Sequence, residues 1–118
     1  MSMSASKSID PGQALGLSSL VTPTPGGIAS RVLAKTSGGN VTLFAFDAGQ
    51  GLEEHTSPFD ALVLVLEGEL RLNIGGDAVQ ATPGTIVRMP GGVPHALEAP
   101  MAARMLLVML REPAASAT

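Results

Sequence analysis

Short apolar stretches alternate along the chain with clusters of turn residues. The clusters are Asp10-Pro11-Gly12, Thr22-Pro23-Thr24-Pro25-Gly26-Gly27, Ser37-Gly38-Gly39-Asn40, Gly49-Gln50-Gly51, Gly75-Gly76-Asp77, Pro83-Gly84 and Pro90-Gly91-Gly92. Most segments between them run to about five to nine residues, the length of strands. The pattern predicts strands over 17–22, 28–36, 41–47, 61–67, 69–74, 78–81, 85–89, 95–99 and 104–111. Many short strands at regular spacing imply an all-β sandwich or barrel.

Two segments depart from simple alternation. Residues 61–66 read Ala-Leu-Val-Leu-Val-Leu with no polar member. A strand with one wetted face would alternate, so both faces of this one are expected to be covered. The barrel interior covers one face. A partner subunit covers the other in the favoured reading, a homodimer, and a second sheet of the same chain is the alternative. Residues 101–111, MAARMLLVMLR, are rich in helix formers and bounded by Pro100 and Pro113. Their place at the end of an all-β pattern favours a closing strand over a helix. Phe44 and Phe46 share one strand face and are expected to anchor the core, and Gly75-Gly76-Asp77 is expected to close a hairpin.

The chain has 118 residues, 45% of them hydrophobic, enough for one domain with an ordinary core. Charged residues make up 14%, against roughly 25% in typical globular chains, so a large uncharged surface or interior has to be accommodated. A net charge of −3 argues against nucleic acid or an acidic membrane as partner. The first eight residues are small and polar, unlike a signal peptide, and the apolar runs 61–66 and 105–110 fall far short of the ~20 needed to span a bilayer. The expected organisation is a flexible leader over 1–14, one barrel over 15–112 and a flexible tail over 113–118, in a cytoplasmic protein. There is no cysteine, which excludes disulfides, iron–sulfur clusters, thiolate zinc and cysteine nucleophiles. His55 and His95 are the only histidines.

The segment Gly84-x5-Pro90-x-Gly92-x2-His95 and the upstream segment Gly49-x5-His55…Gly68 resemble the two sequence motifs of the cupin superfamily. The resemblance extends from about Gly39 to Arg111 and is similar to small single-domain bacterial cupins. It implies a jelly-roll β-barrel (double-stranded β-helix) whose metal, where present, is held by three histidines and a glutamate. His55 stands in the first histidine position and His95 in the motif-two position. Ser57 replaces the second histidine, Ala61 falls in the glutamate position, and Ala99 stands where many members carry asparagine.

Two surviving ligands leave the chemistry open. His55 and His95 are candidate ligands of a divalent transition metal (Zn, Fe, Mn or Ni), with Glu53 or Asp60 as third-ligand candidates. Glu53 shares strand parity with His55, whereas Asp60 serves only from the loop before its strand. With no metal, the two imidazoles would bond each other, Ser57 or water, or hold a small organic acid. Period-two parity gives a pocket lined by His55, Ser57, Ala61, Val63, His95 and Leu97, with Leu62, Leu64 and Leu66 facing outward. Such a lining suits a small molecule with an apolar body and one polar handle. The favoured function is a module that binds a small molecule, a weakly held divalent metal, or both, in the barrel through the two histidines. The alternative is a metal-dependent enzyme of the dioxygenase, decarboxylase or isomerase type. Met89, Met101, Met105 and Met109 read as core filler. Arg88 and Arg104 read as surface residues able to approach the pocket mouth.

Overall fold

Turn residues cut the described part of the chain into nine strands, which pair into two antiparallel sheets. The structure, a computed structural model, describes residues 8–112. The strands are β1 (Ile28–Thr36), β2 (Gly39–Phe46), β3 (Gly51–His55), β4 (Asp60–Glu67), β5 (Leu70–Ile74), β6 (Asp77–Ala81), β7 (Ile86–Met89), β8 (His95–Glu98) and β9 (Ala103–Leu110). One sheet has the order β1-β2-β9-β4-β7 and the other β3-β8-β5-β6. From β2 to β5, and again from β6 to β9, each connection carries the chain from one sheet to the other. Among the described residues the only hairpins that stay within a sheet are β1–β2 and β5–β6. This is the jelly-roll barrel that the turn spacing implies.

Two expectations are corrected. Residues 17–22 form no strand: Leu17–Ser19 is a single 3-10 turn with no buried residue, because this stretch has no neighbouring strand to satisfy its backbone. β3 was not among the expected strands, since Leu52-Glu53-Glu54-His55 lacks an apolar alternation. Pairing with β8 makes it a strand nonetheless, with a register shift between Leu52 and His55. The segment 101–111, weighed between helix and strand, contributes β9, which is hydrogen-bonded on both sides by β2 and β4. The leader and tail expectations for 1–7 and 113–118 lie outside the described residues.

The interior is built as alternation requires. Phe46, Ala61, Val63, Val65, Leu70, Leu72, Ala81, Met89, Leu97, Ala99, Ala103 and Met105 form one buried cluster, with Phe44 packed against it. The Phe44 and Phe46 rings stack with centroids 5.8 Å apart. Gly75 and Gly76, both with positive φ, close the β5–β6 hairpin. Met101, expected in the core, is instead half exposed on the turn before β9.

The outer face of the five-stranded sheet has two halves. Leu33, Leu43 and Ala45 are buried yet stand outside the interior cluster. The incoming segment covers this half: Arg31 Nη1 donates to Leu20 O and Arg104 Nη1 to Val21 O, both at 3.3 Å, and Ile9 N–H bonds Leu33 O. On the other half, Leu62, Leu64 and Leu66 of β4 and Leu106 and Val108 of β9 are only half-buried, and Ile86 is 60% exposed.

Candidate functional site

Two crossovers between the sheets converge at one end of the barrel. Residues 56–59 link His55, the last residue of β3, to β4, and residues 90–94 link Met89, the last residue of β7, to His95, the first of β8. Two backbone amides of the second crossover bond to residues 57 and 60 of the first crossover and its following strand. Gly92 N–H donates to Ser57 O at 2.7 Å, and Gly91 N–H donates to Asp60 Oδ1 at 2.8 Å. Gly91 lies so close that an added Cβ would stand 2.5 Å from Pro58 O, so this position excludes any side chain. Gly92 holds φ +80°, a conformation that suits glycine. The Pro-Gly-Gly spacing before His95 is therefore the geometry that docks one turn on the other and aims the histidine inward.

His55 and His95 are directly paired across β3 and β8. Their rings meet edge to face with centroids 4.4 Å apart. His95 is 5% exposed and His55 exposed, so the pair forms the inner wall and the lip of the barrel mouth. His55 Nδ1 lies 2.9 Å from Glu53 O and His95 Nδ1 lies 3.1 Å from Val93 O. A carbonyl oxygen can only accept, so in the neutral ring each Nδ1 carries the hydrogen and donates it. Each Nε2 is left with a lone pair. The backbone thus fixes both tautomers and ring orientations, the task that neighbouring hydrogen bonds perform for ligating histidines.

The remaining predicted residues divide between core and frame. Ala61, Val63 and Leu97 are buried in the interior cluster on the same strand faces as parity requires. Ser57 is half-buried, and its Oγ accepts the Phe59 N–H at 3.2 Å, inside the crossover turn. Asp60 bonds Gly91 N–H and, at 3.3 Å, Arg88 Nη1, so its carboxylate braces the two turns away from the imidazoles. Glu53 is exposed at the irregular register of β3. Among the described residues no group of three or more His, Cys, Asp or Glu is assembled to hold a metal ion, and neither Glu53 nor Asp60 joins the histidines in such a group. Arg104 ties the outer strap and approaches Glu67 at 3.6 Å.

One inward polar residue was missed. Thr42 of β2 is 8% exposed and, with His95, is one of two buried polar residues among those described. Its hydroxyl lies 3.2 Å from Asn40 Oδ1, to which it donates. The sequence carried the signal, because Thr42 has the parity of Phe44 and Phe46.

A four-ligand divalent centre fits these residues poorly. Both donors are neutral, no carboxylate accompanies them, and a dication in an apolar barrel requires anionic or additional donors. A metal about 2.0–2.1 Å from each Nε2 lies about 3 Å from each ring centroid, so rings on opposite sides of an ion would stand about 6 Å apart. The observed 4.4 Å suits adjacent coordination positions only.

The jelly-roll barrel with a histidine pair at its mouth defines the class, and the comparisons give the family. The cupin domain family model matches residues 42–110, and the chain belongs to that family. A conserved protein of unknown function from Streptococcus pyogenes is 33% identical, with a TM-score of 0.85 over 97% of this chain and all of its own. A cupin superfamily protein from Desulfitobacterium hafniense is 24% identical, with a TM-score of 0.82 over 90% of this chain and 97% of its own. A cupin 2 conserved barrel domain protein from Leptotrichia buccalis is 31% identical over 82% of this chain and 47% of its own, with a TM-score of 0.78. No curated protein matches the chain.

Proposed function

We propose that this protein is a binding module, in which the barrel mouth takes a small molecule or a weakly held metal through His55 and His95. The observation that carries this reading is the pair of fixed tautomers. Two backbone carbonyls occupy both Nδ1 atoms and leave two Nε2 lone pairs at a mouth that is otherwise mostly apolar. A ligand for such a site has an apolar body and brings a hydrogen-bond donor or a cation to the imidazoles. Thr42, its hydroxyl hydrogen engaged by Asn40, adds a further acceptor on the inner face.

The same reading includes a cytoplasmic homodimer formed through Leu62, Leu64, Leu66, Ile86, Leu106 and Val108. A twofold contact sets a patch against itself, and an uncharged apolar patch does so without burying an unpaired charge. No helix of the described residues is long and apolar enough to cross a membrane.

The test is nitrogen-15 NMR of the imidazoles during titration with phenols, diols, amines and Zn(II). We expect Nδ1–H tautomers in the free protein and Nε2 shifts on binding, lost in His95→Ala. Nε2–H tautomers, or binding unaffected by His95→Ala, would overturn the proposal. Adding Fe(II), Mn(II) or Ni(II) with catechols and β-diketones tests the enzymatic alternative, for which turnover must vanish with either histidine.

A further inference from the structure

We infer that a second ligand site lies on the outside of the barrel, a cavity beside Phe59 and Arg111 that takes a free α-amino acid with an apolar side chain. Pro58, Phe59, Asp60, Leu110, Arg111 and Glu112 line a cavity of about 320 Å³, at the low end of the range for small-molecule pockets. Leu110 and Asp60 are paired across β9 and β4 and share the parity of Val108 and Leu62, so they belong to the outer face of the sheet. Neither histidine lines the cavity, and the inference does not depend on how the histidine pair is read.

Backbone bonds fix both walls. β9 ends at Leu110, and Arg111 N–H donates to Gly38 O at 2.8 Å, which pins the backbone that carries the guanidinium. On the other wall, Phe59 N–H donates to Ser57 Oγ at 3.2 Å and Asp60 holds Gly91. The Arg111 guanidinium carbon lies over the Phe59 ring, 5.1 Å from its centroid, within the distance at which a ring face attracts a cation. A guanidinium lying over a ring keeps its N–H fork free in its own plane, a geometry that matches a carboxylate. Among the described residues, Arg71, Arg88 and Arg104 approach Glu98, Asp60 and Glu67, and Arg31 donates to Leu20 O. The Arg111 guanidinium alone has neither an acid nor a carbonyl among them.

The charges select the ligand. Asp60 is already committed, with Oδ1 accepting the Gly91 N–H and Oδ2 facing Arg88. Glu112 is exposed and forms no ion pair with Arg111 or any other described residue. A cation and a carboxylate, each without a described partner, thus share one cavity with the apolar wall of Pro58, Phe59 and Leu110. The complementary molecule brings a carboxylate to Arg111, an ammonium to Glu112 and an apolar group to the wall. A free amino acid of the leucine or methionine kind carries all three on one carbon. A plain carboxylate would set a like charge beside Glu112, and a plain amine would do the same beside Arg111, so both are disfavoured.

The experiment is titration of the full-length protein with L-leucine, glycine, N-acetyl-leucine and leucinamide, read by the nitrogen-15 NMR signals of the Arg111 side chain and the Phe59 amide. We expect both signals to shift with leucine. Binding of leucine is expected to weaken about tenfold in Arg111→Gln and in Glu112→Gln, and glycine and the two capped analogues are expected to bind wild type about tenfold more weakly than leucine does. Arg111 and Glu112 are exposed, so the fold tolerates both substitutions, and circular dichroism checks it. His95→Ala is expected to bind leucine as wild type does. Arg111→Gln binding leucine as tightly as wild type overturns the site, and either capped analogue binding as tightly as leucine overturns the choice of a free amino acid. Loss of leucine binding in His95→Ala moves the ligand to the barrel mouth, which overturns the outer site and leaves the histidine-pair reading standing. Leucine that shifts neither signal at millimolar concentration overturns the outer site as well.

Discussion

Asp60 and Gly91 show how single atoms fix the mouth. Asp60 accepts the Gly91 N–H, and Gly91 lies against Pro58 without room for a methyl group. Asp60→Ala is expected to lower stability by about 1–3 kcal/mol, since it strips a charged acceptor from a half-buried amide. Gly91→Ala is expected to cost about 2 kcal/mol or more, because the clash is with backbone and no rotamer relieves it. Urea denaturation of both variants checks the magnitudes. Both are also expected to weaken ligand binding, since they displace the turns that carry His55 and His95. A Gly91→Ala protein with wild-type stability would show that the turns are not docked this tightly.

The turns also carry most of the legible information at the scale of elements. Strand periodicity located eight of the nine elements, and the Pro-Gly-Gly turn before His95 was readable as such. β3 was not, because Glu53 and Glu54 hide its period and its pairing with β8 is irregular. The segment around Leu17 was read as a strand from its apolar character, but its work is to cap a sheet face through two arginines, which no local pattern encodes. Asp60 was legible as a carboxylate near the site, but its commitment to Gly91 arises from a contact 31 residues away in sequence. Another long-range brace gives a pH prediction. Asp47 at the end of β2 accepts Gly26 N–H at 2.6 Å and Ala48 N–H at 2.9 Å. These two bonds, the one from Gly26 foremost, hold its pKa below the ordinary 3.8. A carboxyl depressed on folding stabilises the fold above its unfolded pKa, and that contribution is lost as pH falls through the folded value. Asp47→Asn is therefore expected to be less stable than wild type at neutral pH, with the gap narrowing below about pH 4. Urea midpoints across that range check the sign, and a constant gap would remove the ionised carboxylate from the account.

The whole molecule leaves one large surface unexplained by the single chain. The central strands β4 and β9 present Leu62, Leu64, Leu66, Leu106 and Val108 outward, and the incoming segment covers only the opposite half of that sheet. Neighbouring rows run Leu106–Leu64–Ile86 and Val108–Leu62–Arg88, so the patch is continuous and charged at its rims, where Arg88 meets Asp60 and Arg104 meets Glu67. A self-associating face of this kind needs about 800 Å² per partner to make a stable dimer. Two substitutions separate association from folding. Leu64→Glu places a charge at the centre of the patch, and Ile86→Glu places one at a position 60% exposed in the protomer, where the fold itself loses little. Both are expected to weaken the dimer at least 100-fold, about 2.7 kcal/mol, with an unchanged circular dichroism spectrum. Sedimentation equilibrium of wild type and variants reads the result. A wild-type protein that stays at the chain mass at concentrations on the order of 100 μM, weaker than specific dimers of this size, would show that the leucines of β4 face solvent or a different partner.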